Sequence, residues 1–168
     1  VPDYTGLSSV ETREAAWLTA SGDGLPALLT AAGGPWDVIQ AFWPRTPATQ
    51  KTQLYVTSLD ADDVRAANIR IRPHYQIVLE FHWPVRATTP GIAETEQQNL
   101  KQALDLLIQR VRGPVGDKTH GGAFLSAGED PRFPGVHVSI EQPWVTIPAS
   151  KELRGTVTYF ADDFELNG

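Results

Sequence analysis

Between His74 and Pro84 the chain reads HYQIVLEFHWP, and this alternation limits the fold more than any other stretch. The odd positions Tyr75, Ile77, Leu79, Phe81 and Trp83 are large and apolar. The even positions His74, Gln76, Val78, Glu80 and His82 carry two imidazoles and a carboxylate. Successive side chains on a strand point to opposite faces. The segment therefore predicts a strand with one face in the core and the other meeting solvent or a partner.

Something must cover the odd face. Leu100, Ala103, Leu104, Leu107, Ile108 and Val111 recur at spacings of three and four, the pattern of a helix with one buried side. A helix from Ile92 to Arg112, ended by Gly113 and Pro114, is roughly 30 Å long at 1.5 Å per residue. The strand is roughly 33 Å at about 3.4 Å per residue. The lengths match, so the helix is expected to lie on the odd face.

The other elements are shorter. A first helix is expected over SSVETREAAWLTASG, with Ser8 and Glu11 at capping-box spacing and Gly22 as its stop; Val10, Trp17 and Leu18, with Ala15 and Ala16, form its apolar stripe. DGLPALLTAAGG reads as a weaker helix running from Asp23, with Pro26 in its first turn and Gly33 beyond its end. WDVIQAFWP, QLYVTSL (Gln53 to Leu59), VHVSIEQ (Val136 to Gln142) and LRGTVTYF (Leu153 to Phe160) read as strands, DADD (Asp60 to Asp63) as a turn, and Pro73 as a break or sheet edge. Residues 113–135 form a glycine-rich connection of a length that often awaits a partner. Alternating strands with helices on one side give an α+β fold. Its mainly antiparallel mixed sheet carries the long helix on one face beside a short N-terminal helix, all in a single domain over residues 1–168.

Composition removes several functions. No cysteine means no disulfide and no thiolate metal site, which fits an intracellular product. The net charge of -6 is spread along the chain without the basic stripe that phosphate binding requires. No apolar run approaches the roughly 18 residues of a membrane span, and no signal sequence opens the chain. A chain that begins at Val1 and contains no methionine is expected to have lost its original start.

The motifs that suggest chemistry are incomplete. Glu80 and His82 could share a metal only with a third ligand from another strand, and His137 with Glu141 is the suitable pair. His74 lies roughly 27 Å from His82 along an extended strand and cannot join them. In GPVGDKT, Asp117 separates Gly116 from Lys118, which breaks the phosphate-loop pattern. THGG lacks the Gly-x-Ser-x-Gly partner of esterases. DADD and ADDFE lack the calcium-loop pattern, and the apolar groups of ADDFE suggest a terminus that docks. Trp17 and Trp83 read as core, whereas Trp36, Trp43 and Trp144, beside prolines, are candidates for core caps or interface anchors.

In element order and texture the chain resembles the tail terminator (tail completion) proteins of long-tailed, siphovirus-type actinobacteriophages. The resemblance runs from about Ser9 to Glu165, through RIRPHYQIVLEFHWPV, ETEQQNLKQALDLLIQRVRG, the glycine-rich loop, VHVSIEQPW and ELRGTVTYFADDFE. The N-terminal half, GLPALLTAAGGPWDVIQAFWPRTPATQKT, is more loop-rich than such a protein needs.

The resemblance implies a structural virion protein, not an enzyme, with no cofactor and no metal. It implies a homo-oligomeric ring, expected as a hexamer, at the head-proximal end of the tail. That ring stops tube polymerisation, meets the tail tube protein and the head-tail connector or neck, and passes DNA through its lumen without specific binding. Interface residues are then expected at His74, Glu80, His82, Trp43, Lys118, His120, Phe124, Asp162, Asp163 and Phe164. A neck or head-completion protein and a tail tube subunit are the alternatives within this class. A metal-dependent hydrolase using Glu80, His82 and His137, and a ligand-binding module using Trp36 or Trp43, are the alternatives outside it.

Overall fold

A computed structural model describes residues 6–20, 24–45, 51–67, 70–85, 90–113, 118–128, 135–141, 152–164 and 166–167. The fold is α+β. Helix α1 spans Val10–Thr19 and α2 spans Pro90–Arg112. The strands are β1 (Val38–Ala41), β2 (Gln53–Ala67), β3 (Arg70–Pro84), β4 (Ser126–Ala127), β5 (His137–Ile140), β6 (Glu152–Asp162) and β7 (Leu166–Asn167). They run in the order β1-β2-β3-β6-β4, with β5 also on β6 and β7 on β3. Among the described strands only β1 and β2 pair in parallel, so the sheet is mixed and mainly antiparallel.

The odd face of β3 is the centre of the core. Tyr75, Ile77, Leu79 and Phe81 are buried, and their partners across the ladders are buried with them: Leu54 and Val56 on β2, Val157, Tyr159 and Ala161 on β6. Leu100, Ala103, Leu104, Leu107 and Val111 of α2 enter the same core, whereas Ile108 is half-buried. The Trp83 indole N–H donates to Glu96 Oε2 at 3.2 Å, fixing the first half of α2 over the end of β3. Fully burying a Leu or Phe side chain stabilises the fold by about 1.5–3 kcal/mol. The matched lengths of strand and helix thus explain where most of the stability resides.

Several elements differ from the sequence expectation. DGLPALLTAAGG makes only one 3-10 turn, Thr30–Ala32, ended by Gly33 at φ 93°. Gly24 and Pro26 before the turn and Gly34 and Pro35 after it leave too few residues for a stable helix. The segment closes on itself through Trp36 N–H to Leu28 O (2.9 Å) and Thr30 N–H to Trp36 O (2.9 Å), which seats Trp36 in the core. Trp36 there meets Trp83 edge-on at 5.3 Å.

DADD is not a turn: the backbone of β2 continues through it, pairing Asp60, Asp62 and Asp63 with Gln76, His74 and Pro73 after a bulge at Ser58/Asp60. A paired partner strand overrides the turn preference of aspartate. Pro73 lies within β3 instead of ending it. Its carbonyl accepts from Asp163 N–H at 2.9 Å, so its ring nitrogen faces the same side, just past the end of β6.

Ser8 lies in a 3-10 turn, Leu7–Ser9, and Ser9 takes the N-cap place of α1. Within the glycine-rich connection, residues 118–128 are built into the fold: Leu125 N–H donates to Asp162 O and Gly128 N–H to Phe160 O, placing β4 beside β6. The predicted signals at Gly22, Asp23, Pro114 and Trp144 lie outside the described residues.

Candidate functional site

The even face of β3 and its neighbours was expected to be an open surface. It is half closed by its own side chains: His74, Val78 and His82 are buried, and Gln76 and Glu80 are half-buried. The register explains the clustering, since His82 lies opposite Gln53 on β2 and Arg154 on β6, and Glu80 lies opposite Tyr55 and Thr156. His82 Nε2 is 3.0 Å from Glu80 Oε1 and His82 Nδ1 is 3.3 Å from Glu152 Oε2. Arg154 Nε donates to Glu152 Oε2 at 2.7 Å, and the Tyr55 hydroxyl donates to Gln53 Oε1. Burial, then the charges of Glu152 and Glu80, push the Tyr55 phenol above its ordinary range. The Glu152 hydrogen bond outweighs burial and, with the charges of Glu152, Glu141 and Glu80, raises Arg154 further.

This arrangement sets the candidate metal ligands apart. His137 lies opposite Thr158, and Thr158 opposite Val78. It is therefore four residues along from His82, roughly 13 Å before the two-strand offset is added. Glu80 and His82 close on each other and on Glu152 instead. Among the described residues no three histidine or carboxylate groups gather as a metal site.

His74 forms a separate cluster at the other end of the strand. Its Nδ1 lies 2.6 Å from Asp162 Oδ1 and its ring stacks on Phe160, 5.3 Å between centroids and 6° between planes.

A third polar cluster, unsuspected from sequence, lies under α1. Arg13 donates from Nη1 to Asp163 Oδ1 (2.9 Å) and from Nη2 to Asp163 Oδ2 (2.8 Å), a two-pronged pair that is fully inside the fold. Asp163 Oδ2 also accepts from Tyr75 O–H at 3.0 Å and Gly6 N–H at 3.0 Å. Burial alone would push the Asp163 carboxyl up, but the hydrogen bonds from Arg13 and from the Phe164 and Gly6 N–H groups, with the Arg13 charge, hold it below its ordinary range.

One residue on, Glu14 accepts the Tyr159 hydroxyl on Oε1, and His120 Nδ1 lies 2.9 Å from its Oε2. Burial, then the Glu14 charge and hydrogen bond, hold the Tyr159 phenol well above its ordinary value. Arg110, at the end of α2, donates to the carbonyls of Pro26 (3.1 Å), Trp17 (2.7 Å) and Ala20 (2.5 Å), and its guanidinium lies over the Trp17 ring at 4.7 Å. Burial lowers the Arg110 pKa, and the Glu14 charge opposes that shift.

The ten residues expected at interfaces therefore separate. His120, Phe124 and Asp163 are buried within the chain, with Phe124 under the Arg13 guanidinium at 4.6 Å, and in this fold they have no surface to offer a partner. The resemblance placed them at interfaces; their burial follows from the charges that α1 turns inward. Lys118 is half-buried and its ammonium donates to Arg112 O at 2.9 Å, capping α2. Asp162 and Phe164 are half-buried beside this region. His74, Glu80 and His82 pair within the sheet. Only Trp43, 63 % exposed, stands clear of the fold.

Beside it Phe42 is 52 % exposed and held at φ 65°, an unusual conformation for an aromatic residue. The Phe42 N–H bonds Val56 O at 3.0 Å, so the strained turn follows directly from the end of edge strand β1. Comparison with protein-family models and with curated proteins finds no match. Among the described residues no helix is long and apolar enough to cross a membrane.

Proposed function

We propose that the chain is a structural assembly subunit, and specifically a phage tail terminator that forms a ring at the head-proximal end of the tail tube. The observation that carries this reading is the Phe42–Trp43 pair, two large aromatics held outward at the end of an edge strand, one of them in a strained backbone conformation. Exposed aromatics beside an edge strand suit a protein contact, and strain is retained where surrounding structure or function requires it. The polar groups of the sheet face and of the α1 cluster bond one another, so their residues hold the fold and leave contact as the work of the surface. A ring buries edge strands that would otherwise pair unselectively.

The experiment is the mass of the purified protein in solution across a concentration series, followed by electron microscopy alone and with tail tube subunits. Rings that cap tubes are expected. Tubes formed by this chain alone would favour the tube subunit, and a monomer under every condition, tube included, would overturn the reading.

A further inference from the structure

The rows of the sheet run straight from one rim to the other. Ile39, Leu54, Phe81, Gly155 and Ile140 are successive Cα partners across β1, β2, β3, β6 and β5. Two rows on, Ala41 and Val138 are the rim residues of the row through Leu79. The two rim strands, four residues each, therefore stand at the same height of the sheet. Their directions follow from the same ladders. β1 is parallel to β2, and each later step to β3, β6 and β5 reverses direction, so β5 runs opposite to β1.

The backbone points outward at matching residues. Val38 N–H bonds Thr52 O and Phe42 N–H bonds Val56 O, both at 3.0 Å. Peptide groups alternate in direction along a strand, so Ile39 and Ala41 turn theirs away from β2. On the other rim Glu141 N–H bonds Arg154 O at 2.9 Å, which by the same alternation turns Val138 and Ile140 away from β6. Among the described residues no strand lies beyond either rim. The side chains agree with the backbone. Ile39 is buried and Ala41, Val138 and Ile140 are half-buried, each in a row of the core face. Gln40 and Ser139 lie between them on the opposite, polar face.

We propose that β1 of one copy pairs antiparallel with β5 of a second copy, Ile39 opposite Ile140 and Ala41 opposite Val138. This rests on the reading above that copies assemble, and it names the surfaces through which they do so. Two copies set head to tail bring together rims of opposite direction at the same height. Each of the two pairs then exchanges both of its N–H···O bonds, and the apolar rims join into one core. A slip of one residue would set outward peptide groups against inward ones and apolar side chains against polar, so the register is specified. The match ends where Phe42 (φ 65°) and Gly135 (φ 80°) leave the extended conformation, both at the same end, which sets Phe42–Trp43 at the border of the contact. Unlike surfaces meet, so the copies close into a ring or run on as a filament.

The chain has no cysteine, so cross-linking through Gln40→Cys and Ser139→Cys, singly and together, tests the contact. Within one chain the two positions are four strand spacings apart, roughly 19 Å, beyond disulfide reach. Across the proposed contact they form a non-hydrogen-bonded pair with Cα atoms roughly 4.5 Å apart, within reach. Mild oxidation should convert most of the double variant into covalent dimers, trimers and larger species. A mixture of the two single variants should give dimers, and neither single variant alone should. Equal dimer yields from one single variant alone would show like rims meeting and overturn the proposal. If the variants do not fold, hydrogen exchange on the native chain decides. The amides of Ile39, Ala41, Val138 and Ile140 should slow by about tenfold or more as mass rises with concentration; unchanged exchange in the assembled species refutes the contact. Rings that lack the cross-link refute the rim contact and leave the ring reading standing. Cross-linked open filaments support the contact and refute the ring. A chain that stays monomeric throughout refutes both.

Discussion

Removing the carboxylate of Asp163 should cost more stability than almost any other single polar change in this chain. Five donors converge on it: Arg13 twice, Tyr75 O–H, Gly6 N–H and Phe164 N–H, at 2.8–3.0 Å. Asp163→Ala leaves the buried Arg13 guanidinium without its counter-charge and the Tyr75 hydroxyl without its acceptor. Breaking a buried pair from one side costs about 3–5 kcal/mol. The lower part of that range is expected, since Arg13 still donates to the carbonyls of Ala123 (2.6 Å) and Gly6 (3.2 Å).

Urea unfolding of wild type, Asp163→Ala, Arg13→Ala and the double variant gives both the loss and the coupling. The single loss, about 3–4 kcal/mol, should lower Tm by about 6–16 °C at about 2–4 °C per kcal/mol. The two substitutions should be non-additive by more than about 1 kcal/mol. The sign of the pH dependence is fixed by the depressed folded pKa of Asp163. Its contribution is complete above the unfolded carboxylate value near 3.9 and is lost as pH falls through the folded value. The gap between wild type and Asp163→Ala should therefore close in acid. A loss below about 1 kcal/mol, or an additive cycle, would refute the claim that this pair anchors α1.

Tyr159→Phe removes the donor to Glu14 Oε1 and should cost about 1–3 kcal/mol in urea unfolding, the price of an unsatisfied buried acceptor. In the native protein the Tyr159 phenol is held well above its ordinary value, so ultraviolet titration should show it ionising only with alkaline unfolding. Gly155 sits where a Cβ would overlap the Ser139 carbonyl oxygen and the Phe81 ring, so Gly155→Ala should destabilise by about 1–3 kcal/mol and expose the amides of β5 to exchange. Trp43→Ser should leave Tm within about 2 °C, as an exposed substitution does, while weakening any self-association seen by light scattering.

What the sequence revealed follows from what periodicity measures. The alternation of Tyr75 to Trp83 and the three-four spacing of Leu100 to Val111 report burial directly, and the core lies where they point. The segment around Leu28 and Ala32 gave a helical pattern that depended on alanine, and its glycines and prolines prevailed. DADD was misread because turn preference is local while pairing with Pro73 to Gln76 is not. The cluster under α1 was illegible for a related reason. Arg13, Glu14, His120 and Asp163 are separated by up to 150 residues, and a charged residue in a sequence gives no sign that its partner waits across the fold.

That cluster also explains a feature the apolar stripe of α1 leaves open. Only Val10 and Leu18 are fully buried apolar residues on this helix, too few to choose one orientation on a sheet as broad as this one. Apolar burial is non-directional, so Val10 and Leu18, with the partly buried Ala15 and Trp17, do not by themselves fix the rotation of the helix. Arg13 and Glu14 are adjacent, and each requires a different partner: Asp163 past the end of β6 for the first, Tyr159 and His120 for the second. A rotation of α1 by one residue, about 100°, would separate both sets at once and strand two charges in the core. The buried ionic groups therefore act on α1 chiefly by excluding its alternatives, while the stability of the domain comes from the α2 face on β3. A double replacement of Arg13 and Asp163 by apolar residues of similar size should accordingly keep much of the stability yet broaden the exchange protection and side-chain signals of α1.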